Sequence, residues 1–254
     1  MWLLVLVACV KQTTPSTPVQ PAPEVVSGVI LDGVAVNASW DDGDTFSIPD
    51  PNTDKRVRAR LKGFNTLESY GPVHRWGEWT TTELYGLAKE AGVRADEGSW
   101  TCAVQEGGGG YGRILVDCPD LRLALVGEGL AHVFAIDDEP DAGALEAQQV
   151  AIAEGRGMWA KGAPEKLITS LHSLDERENQ DQTYDRVVDL VTGAATKHEH
   201  SETYATCEEV CHHGSCMVYV PYNNRYRPES KAECLRVVTG RRLENQPDSS
   251  SSSQ

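Results

Sequence analysis

The sequence predicts an α+β protein, mainly β, whose centre is a five-stranded Greek-key barrel of the OB type with about three helices. Residues 28–62 alternate apolar and polar positions between turn signals, which is the pattern of three half-buried strands. Two further strand-like segments lie at residues 100–104 and 113–116. Five short strands accompanied by a few helices suit a small closed barrel.

The helices are predicted from apolar residues at helical spacing. Residues 78–91 carry this spacing and are expected to end near Gly92. Residues 121–128 and 144–154 are two shorter helical segments, and each is followed by a glycine that can end a helix. Trp159 comes just after the last helix and is expected to pack in the core.

Three separated stretches together carry the residue types of a phosphodiester-cleaving site. They are Asp42-Gly43-Asp44-Thr45, Arg60-Leu61-Lys62-Gly63-Phe64-Asn65-Thr66-Leu67-Glu68 and Tyr111-Gly112-Arg113. Attack of water on a phosphodiester concentrates negative charge on the phosphoryl oxygens. It therefore needs cations, and a carboxylate to take the proton of the water.

The residue types in these stretches divide into three chemical roles. Asp44, Asn65 and Thr66 offer hard oxygen ligands of the kind that Ca²⁺ takes. Arginine forks match phosphate geometry, and a glutamate is a suitable general base. Arg60 and Arg113 are the candidates for binding the phosphate, and Glu68 is the candidate general base.

The order and spacing of the stretches resemble the staphylococcal nuclease-like (thermonuclease) domain, in which D-G-D-T precedes R-L-x-G-x-D-T-P-E and a later Y-G-R. The resemblance covers residues 28–162. It implies an OB fold and calcium-dependent endonuclease hydrolysis of DNA or RNA that leaves a 3′-phosphate. It also implies metal-ligand positions at Asp44, Asn65 and Thr66, a general base at Glu68, and phosphate contacts from Arg60 and Arg113.

Two departures from the family pattern concern the site itself. Asn65 stands where the family has an aspartate, so one negative charge is lost and weakened calcium binding is expected. Leu67 stands in place of a proline, so Glu68 is expected to be less pre-organised. The alternative reading is a catalytically weakened nuclease-fold module that only binds its partner at the cell surface.

The charge balance of the chain is acidic, with a net charge of -15. Residues 28–162 are also acidic, and because lysine and arginine supply most affinity for nucleic acid, weak and transient binding of DNA or RNA is expected. Residues 55–62 are a local exception with alternating basic side chains. They would present cations on one face of a strand, or else keep an edge strand soluble. Nothing in the sequence indicates an obligate protein partner.

The first residues predict export. Residues 1–9 form a short apolar segment that resembles a lipoprotein signal, with Cys9 as the lipidated residue, although a basic start is missing. Residues 10–27 are rich in proline and threonine and are expected to form an extended tether. We therefore expect a lipoprotein anchored to a membrane by its lipid, in the outer membrane or periplasm or at the cell surface.

The remaining six cysteines suit a compartment that permits disulfides. Cys102 and Cys118 flank a glycine-rich turn, and a cross-strand disulfide is expected between them. The other four cysteines form a C-terminal group for which two disulfides are expected and a zinc site is the alternative. They are Cys207, Cys211, Cys216 and Cys234.

The part of the chain beyond the resemblance is divided by composition. Residues 163–206 are acidic and are expected to form a partly helical connector. Residues 207–240 would form a small cysteine-rich module. Residues 241–254 contain a serine run and are expected to be disordered.

Overall fold

The computed structural model describes residues 28–50, 52–225 and 232–238, and over these residues the chain is α+β and mainly sheet. The signal segment with Cys9, the tether at 10–27 and the tail at 241–254 lie outside the described residues. Within the described part, no helix combines the length and the apolar character needed to cross a membrane.

Across the described part of the chain, fifteen strands form four sheets. The strands are β1 (Gly28–Leu31), β2 (Val34–Val36), β3 (Ser39–Asp42), β4 (Thr45–Pro49), β5 (Arg56–Leu61), β6 (Phe64–Thr66), β7 (Val73–Trp76), β8 (Ser99–Gly108), β9 (Ile114–Asp117), β10 (Ala131–Val133), β11 (Lys166–Ser170), β12 (Thr183–Asp189), β13 (Ala195–His200), β14 (Glu209–His212) and β15 (Ser215–Val218). The largest sheet has seven strands in the order β2-β1-β8-β9-β5-β4-β3 and curls into a half-barrel. The pairs β1–β8 and β5–β9 are parallel, and the others in this sheet are antiparallel.

The region predicted to form three strands, residues 28–62, contains five. The turn at Asp32 and Gly33 separates β1 from β2, and both residues have positive φ. The segment between Gly33 and Gly43 is divided into β2 and β3, because the Ala38 N–H donates to the Val36 carbonyl at 3.1 Å. The result is shorter strands that bend around the core.

The helices are α1 (Thr81–Glu97), α2 (Pro119–Gly127), α3 (Ala142–Ala153), α4 (Tyr222–Arg225) and α5 (Glu233–Val238). A capping box between Thr80 and Glu83 starts α1. The predicted end of this helix near Gly92 is wrong, because the helix continues to Glu97. Gly92 instead lies where the helix passes close to the end of β3. A Cβ on this residue would lie 3.5 Å from the Cα of Asp42.

Two hydrophobic cores hold residues 28–162 together. One lies within the curled sheet and is closed by α2, with Phe46, Phe64 and Leu125 fully buried. The other joins α1 to later strands and includes Leu67 and Trp159, both almost fully buried. The expectation that Trp159 packs in a core is confirmed, although its core is the second one.

The predicted helical connector at residues 163–206 is wrong in its secondary structure. Residues of this segment form the antiparallel sheet β11-β12-β13. The segment is acidic overall, but it contains two short apolar pairs whose side chains are buried, Leu167-Ile168 and Val187-Val188. Pairs that contain the β-branched residues valine and isoleucine favour strands. The burial of these side chains therefore decides the secondary structure of the segment more than its net charge does.

The cysteine-rich segment is not a separate module, because β15 pairs antiparallel with β7, which lies within residues 28–162. Both expected C-terminal disulfides form, Cys207–Cys234 and Cys211–Cys216. Within the described residues, one group has metal-ligand types close together, Glu209, Cys211 and Cys216, and two of its members are joined in that disulfide. Zinc binds thiolates, so these four cysteines do not supply the zinc site of the alternative.

A buried carboxylate ties the C-terminal strands to the middle sheet. Asp185 is fully buried on β12 and accepts a hydrogen bond from the Tyr204 hydroxyl at 2.7 Å. It also lies 2.9 Å from His212 Nε2 on β14. Hydrogen-bonded burial of this kind fixes neighbouring elements in one arrangement. The chain beyond residue 162 is therefore packed onto the rest.

The expected Cys102–Cys118 disulfide is present and joins β8 to the end of β9. We expect Cys102→Ser/Cys118→Ser to lower the free energy of unfolding by about 3 kcal/mol, because the bridge restricts the unfolded chain. Urea denaturation of the oxidised protein measures this. Cys211→Ser/Cys216→Ser is the matched control, since its bridge spans 5 residues rather than 16 and should stabilise less. Equal unfolding midpoints for wild type and the first variant would contradict the prediction.

Candidate active site

The turn between β3 and β4 requires a glycine. A Cβ at Gly43 would lie 2.6 Å from Thr66 Cγ2 and 3.0 Å from the Cβ of Ala91 on α1. Only glycine therefore lets the turn approach β6 and α1 so closely. This approach carries Asp44 into the interior, where it is only 3% exposed.

Asp44 is the centre of the site. Its Oδ2 accepts hydrogen bonds from the Thr66 backbone N–H at 2.8 Å and from the Thr66 hydroxyl at 3.2 Å. Its Oδ1 accepts from the Thr45 hydroxyl at 3.0 Å. These bonds fix the carboxylate orientation and bring two of the predicted calcium-ligand positions, Asp44 and Thr66, into direct contact.

Arg60 joins Asp44 to the third predicted ligand position. It lies on β5 opposite Thr45, forms an ion pair with Asp44 and donates from its other terminal nitrogen to the side-chain oxygen of Asn65. The planar guanidinium suits this two-ended role. The pocket of oxygens around Asp44 and Asn65 is therefore one that accepts a cation.

Two other cations of the basic segment 55–62 are paired with carboxylates. Arg58 pairs with Asp41 at 2.9 Å and Lys62 pairs with Asp138 at 2.9 Å. The alternative interpretation as an edge strand is wrong, because β5 lies between β4 and β9.

Glu68 follows a buried residue. Leu67, where the resembled family has proline, is 2% exposed and packs in the second core. This packing restrains the backbone next to Glu68, and the expectation of a less pre-organised base stays a prediction. Burial, followed by the charge of Asp44, raises the pKa of the partly exposed Glu68, whereas Arg60, Arg225 and Arg113 lower it. A raised pKa makes a carboxylate a stronger base.

Asp42 belongs to the site, although the sequence pattern gave it no role. Its Oδ1 accepts the Asp44 backbone N–H at 3.1 Å. Burial, then the charges of Asp44 and Glu68, raise its pKa well above the ordinary value. Its position two residues before Asp44, across a turn glycine, was the available signal. Three carboxyl groups therefore influence one another at this place.

Arg113 approaches from the β8–β9 hairpin. A Cβ at Gly109 would lie 2.8 Å from the Cβ of Arg60 and 3.2 Å from that of Arg113, so this glycine allows both arginines to flank it. Arg113 Nε donates to the Gly110 carbonyl at 3.1 Å. Burial and the charges of Arg60 and Arg58 lower its pKa. A guanidinium under such repulsion is well placed to receive an anion.

The residues around Asp44 fit a calcium ion in chemistry, with a low count of negative ligands. Asp44, Asn65 and Thr66 offer only oxygen, which Ca²⁺ prefers, and two of them, Asp44 and Asn65, already contact the Arg60 guanidinium. Burial, and after it the charge of Asp44, raises the pKa values of Asp42 and Glu68. Asp44, Asn65 and Thr66 are the residues that could hold a cation here.

A cleft opens beside the site. It has a volume of about 550 Å³ and lies between β3 and α1, with Trp40, Asp42, Tyr70 and Lys89 on its walls. The Lys89 ammonium stands 4.4 Å from the Tyr70 ring centre. Tyr111, next to Arg113 in sequence, is 88% exposed. Aromatic and cationic groups of this kind can stack on bases and meet phosphates.

The two histidines of this region are buried. Burial lowers the pKa of His74 to about 3 and that of His132 to about 4, so both are neutral at neutral pH. His132 Nδ1 lies 3.0 Å from the Val133 carbonyl, and His132 is opposite Asn65 in the β6–β10 pair. They are packing residues, and His132 supports the strand that carries Asn65.

No protein-family model matches the chain, and no curated protein matches it significantly. The functional interpretation therefore depends on the residues and their geometry.

Proposed function

We propose that this protein is a calcium-assisted nuclease that hydrolyses phosphodiester bonds of DNA or RNA, with its curled sheet as an elaborated OB-type barrel of the thermonuclease-like kind. The observation that carries the proposal is the meeting of Asp44, Arg60, Asn65 and Glu68, with Arg113 close by, from segments far apart in sequence. Packing alone gives no reason to gather these groups at one place.

Glu68 acts as the general base. Its carboxylate takes the proton of the attacking water while the water oxygen bonds to phosphorus and the bond to the leaving sugar oxygen breaks. The elevated pKa, caused mainly by burial, strengthens it for this role. Packing of Leu67 in the second core restrains the backbone next to this carboxylate.

Arg60 and Arg113 hold the phosphoryl group. They lie on either side of Gly109, so two guanidinium forks can meet the oxygens on which charge develops. Asp44, Asn65 and Thr66 would hold the calcium ion. When bound, the ion supplies further positive charge to the same oxygens. Arg60, which lies against Asp44 and Asn65, then turns its fork toward the phosphate.

The acidic chain suits transient contact with a nucleic acid, because few cations are left to neutralise phosphates along a strand. The paired state of Arg58 and Lys62 strengthens this argument. We further propose that the nuclease acts outside the cytoplasm as a membrane-tethered lipoprotein lipidated at Cys9. The disulfide-bonded cysteines support an oxidising compartment.

Calcium-dependent digestion of single-stranded DNA and RNA by the purified chain tests the proposal. We expect acid-soluble product with calcium and none with a chelator, and we expect a 3′-phosphate on the product ends. Absence of product at every calcium concentration would remove the enzymatic interpretation.

The second candidate is a binding module that has lost catalysis. One observation favours it: the Arg60 guanidinium occupies the oxygens of Asp44 and Asn65 that a calcium ion would use. On this view, the oligonucleotide binds equally well with calcium or a chelator, and Glu68→Gln changes nothing that can be measured.

The identity of residue 65 should set the calcium requirement. We expect Asn65→Asp to lower the half-saturating calcium concentration for activity, because it adds a carboxylate at an oxygen-ligand position. Calcium titration of the cleavage rate measures this. Asn37→Asp is the matched control, because it adds the same charge on the loop between β2 and β3. An unchanged or higher requirement in the first variant would place residue 65 outside the ion's ligands.

A further inference from the structure

A third arginine reaches the candidate site from the far end of the chain. Arg225 is the last residue of α4, in the segment that follows β15. A Cβ at Gly71 would lie 3.3 Å from Arg225 Cδ and 3.7 Å from Glu68 Oε2. The arginine side chain and the proposed base therefore flank the same glycine.

The guanidinium of Arg225 is oriented by a backbone carbonyl. Its Nε donates to the Val220 carbonyl at 2.7 Å, which fixes the side chain. This bond does not use the two terminal nitrogens of the guanidinium. Among the residues that the structure describes, no carboxylate oxygen lies within 4.0 Å of its nitrogens. By contrast, Arg58 and Arg75 form ion pairs with carboxylates.

The segment that presents Arg225 is firmly attached. Val218 on β15 pairs with Val73 on β7, only five residues after Glu68 in the chain. Val220 is fully buried in the same cluster, and the Cys207–Cys234 disulfide closes the segment on itself. A cation held by packing in this way loses little side-chain entropy when it binds an anion.

We propose that Arg225 is a substrate-binding residue that contacts a phosphate neighbouring the scissile one, so that the C-terminal segment completes the binding site. The proposal rests on the proposed nuclease function. In a chain with a net charge of -15, a strand of phosphates can be held only where cations are gathered. Arg60 and Arg113 serve the scissile phosphate, and Arg225, which flanks Gly71 together with Glu68, adds one more cation to this group.

Binding of a fluorescent single-stranded DNA oligonucleotide to the Glu68→Gln protein tests this directly by anisotropy. Adding Arg225→Gln should raise Kd about fivefold at 0.1 M salt and reduce the slope of log K against log salt by about 0.7, the loss of one phosphate contact on a single strand. Adding Arg75→Gln is the matched control. It removes an arginine that binds Glu209 and loosens the same segment, and it should leave the slope unchanged. An unchanged slope with Arg225→Gln would overturn the proposal.

Kinetics with two substrates separate a neighbouring phosphate from the scissile one. With bis(4-nitrophenyl) phosphate, which has a single phosphodiester, Arg225→Gln should change kcat/KM only through the pKa of Glu68, which Arg225 lowers, and therefore less than it changes kcat/KM with the oligonucleotide. With the oligonucleotide, KM should rise about fivefold and kcat should stay within twofold. Equal loss of kcat on both substrates would overturn the proposal, because Arg225 would then act at the reacting phosphate.

The test remains valid if Arg225→Gln does not fold or if the nuclease function fails. Arg225→Lys keeps the charge and should keep the salt slope, so a reduced slope in this variant would count against the proposal. If wild type cleaves neither substrate, the proposed function fails, whereas the binding measurement still decides whether Arg225 contacts phosphate.

Discussion

Replacing Glu68 with glutamine is expected to lower kcat by about 10²–10⁴-fold, the usual loss on removal of a general base. Glutamine keeps nearly the same shape, so the packing of Leu67 beside it and the fold should persist. What disappears is the group that accepts the proton of the attacking water. Single-turnover cleavage of a labelled oligonucleotide at saturating calcium measures the chemical step.

Glu97→Gln is the matched control for this substitution. Glu97 is an exposed carboxylate at the end of α1, and its replacement removes the same charge from the surface. We expect its rate to stay within twofold of wild type. If neither wild type nor Glu68→Gln cleaves while oligonucleotide binding persists, the binding-module interpretation takes the place of the nuclease. Cleavage by Glu68→Gln at the wild-type rate would mean that Glu68 is not the general base.

The site was easier to predict from the sequence than its surroundings. Asp44, Arg60, Asn65 and Thr66 are in contact because each lies in a short motif whose local geometry is nearly self-determined, such as the turn that needs Gly43. The β8–β9 hairpin and its disulfide could be predicted for the same reason, since a glycine-rich turn fixes which residues face each other.

Other features depended on contacts that a sequence does not display. The β11-β12-β13 sheet arises because Leu167 and Val188 find a second core, and the acidic residues around them gave the opposite signal. Arg225 reaches Glu68 because β15 pairs with β7, a contact between segments more than 130 residues apart, as in the Arg75–Glu209 pair. Long-range pairing of this kind leaves no local periodicity to detect.

The length of α1 illustrates how a local signal can mislead. Gly92 has the properties of a helix end, but the helix continues through it to Glu97. The cost of glycine inside a helix is about 1 kcal/mol, and packing against the Asp42 backbone offsets it. A glycine that ends a helix and one that admits a neighbouring backbone cannot be told apart until the neighbour is known.

Arg60→Lys is expected to lower kcat about 10²-fold while the fold persists. Lysine keeps the positive charge beside Asp44, so that this buried carboxylate is still compensated. A single ammonium cannot, however, reach Asp44 and Asn65 together as the guanidinium does, nor can it grip two phosphoryl oxygens. The loss should therefore appear in the chemical step, where such contacts contribute most.

The neighbouring cation on the same strand provides the control for this last prediction. Arg58 has a side chain that is 53% exposed and pairs with Asp41, so Arg58→Lys makes the same chemical change outside the site. We expect it to alter kcat less than twofold, and both variants to unfold near the wild-type temperature. Equal rates for Arg60→Lys and Arg58→Lys would mean that Arg60 only neutralises Asp44. The phosphate would then be stabilised by Arg113 and the ion alone.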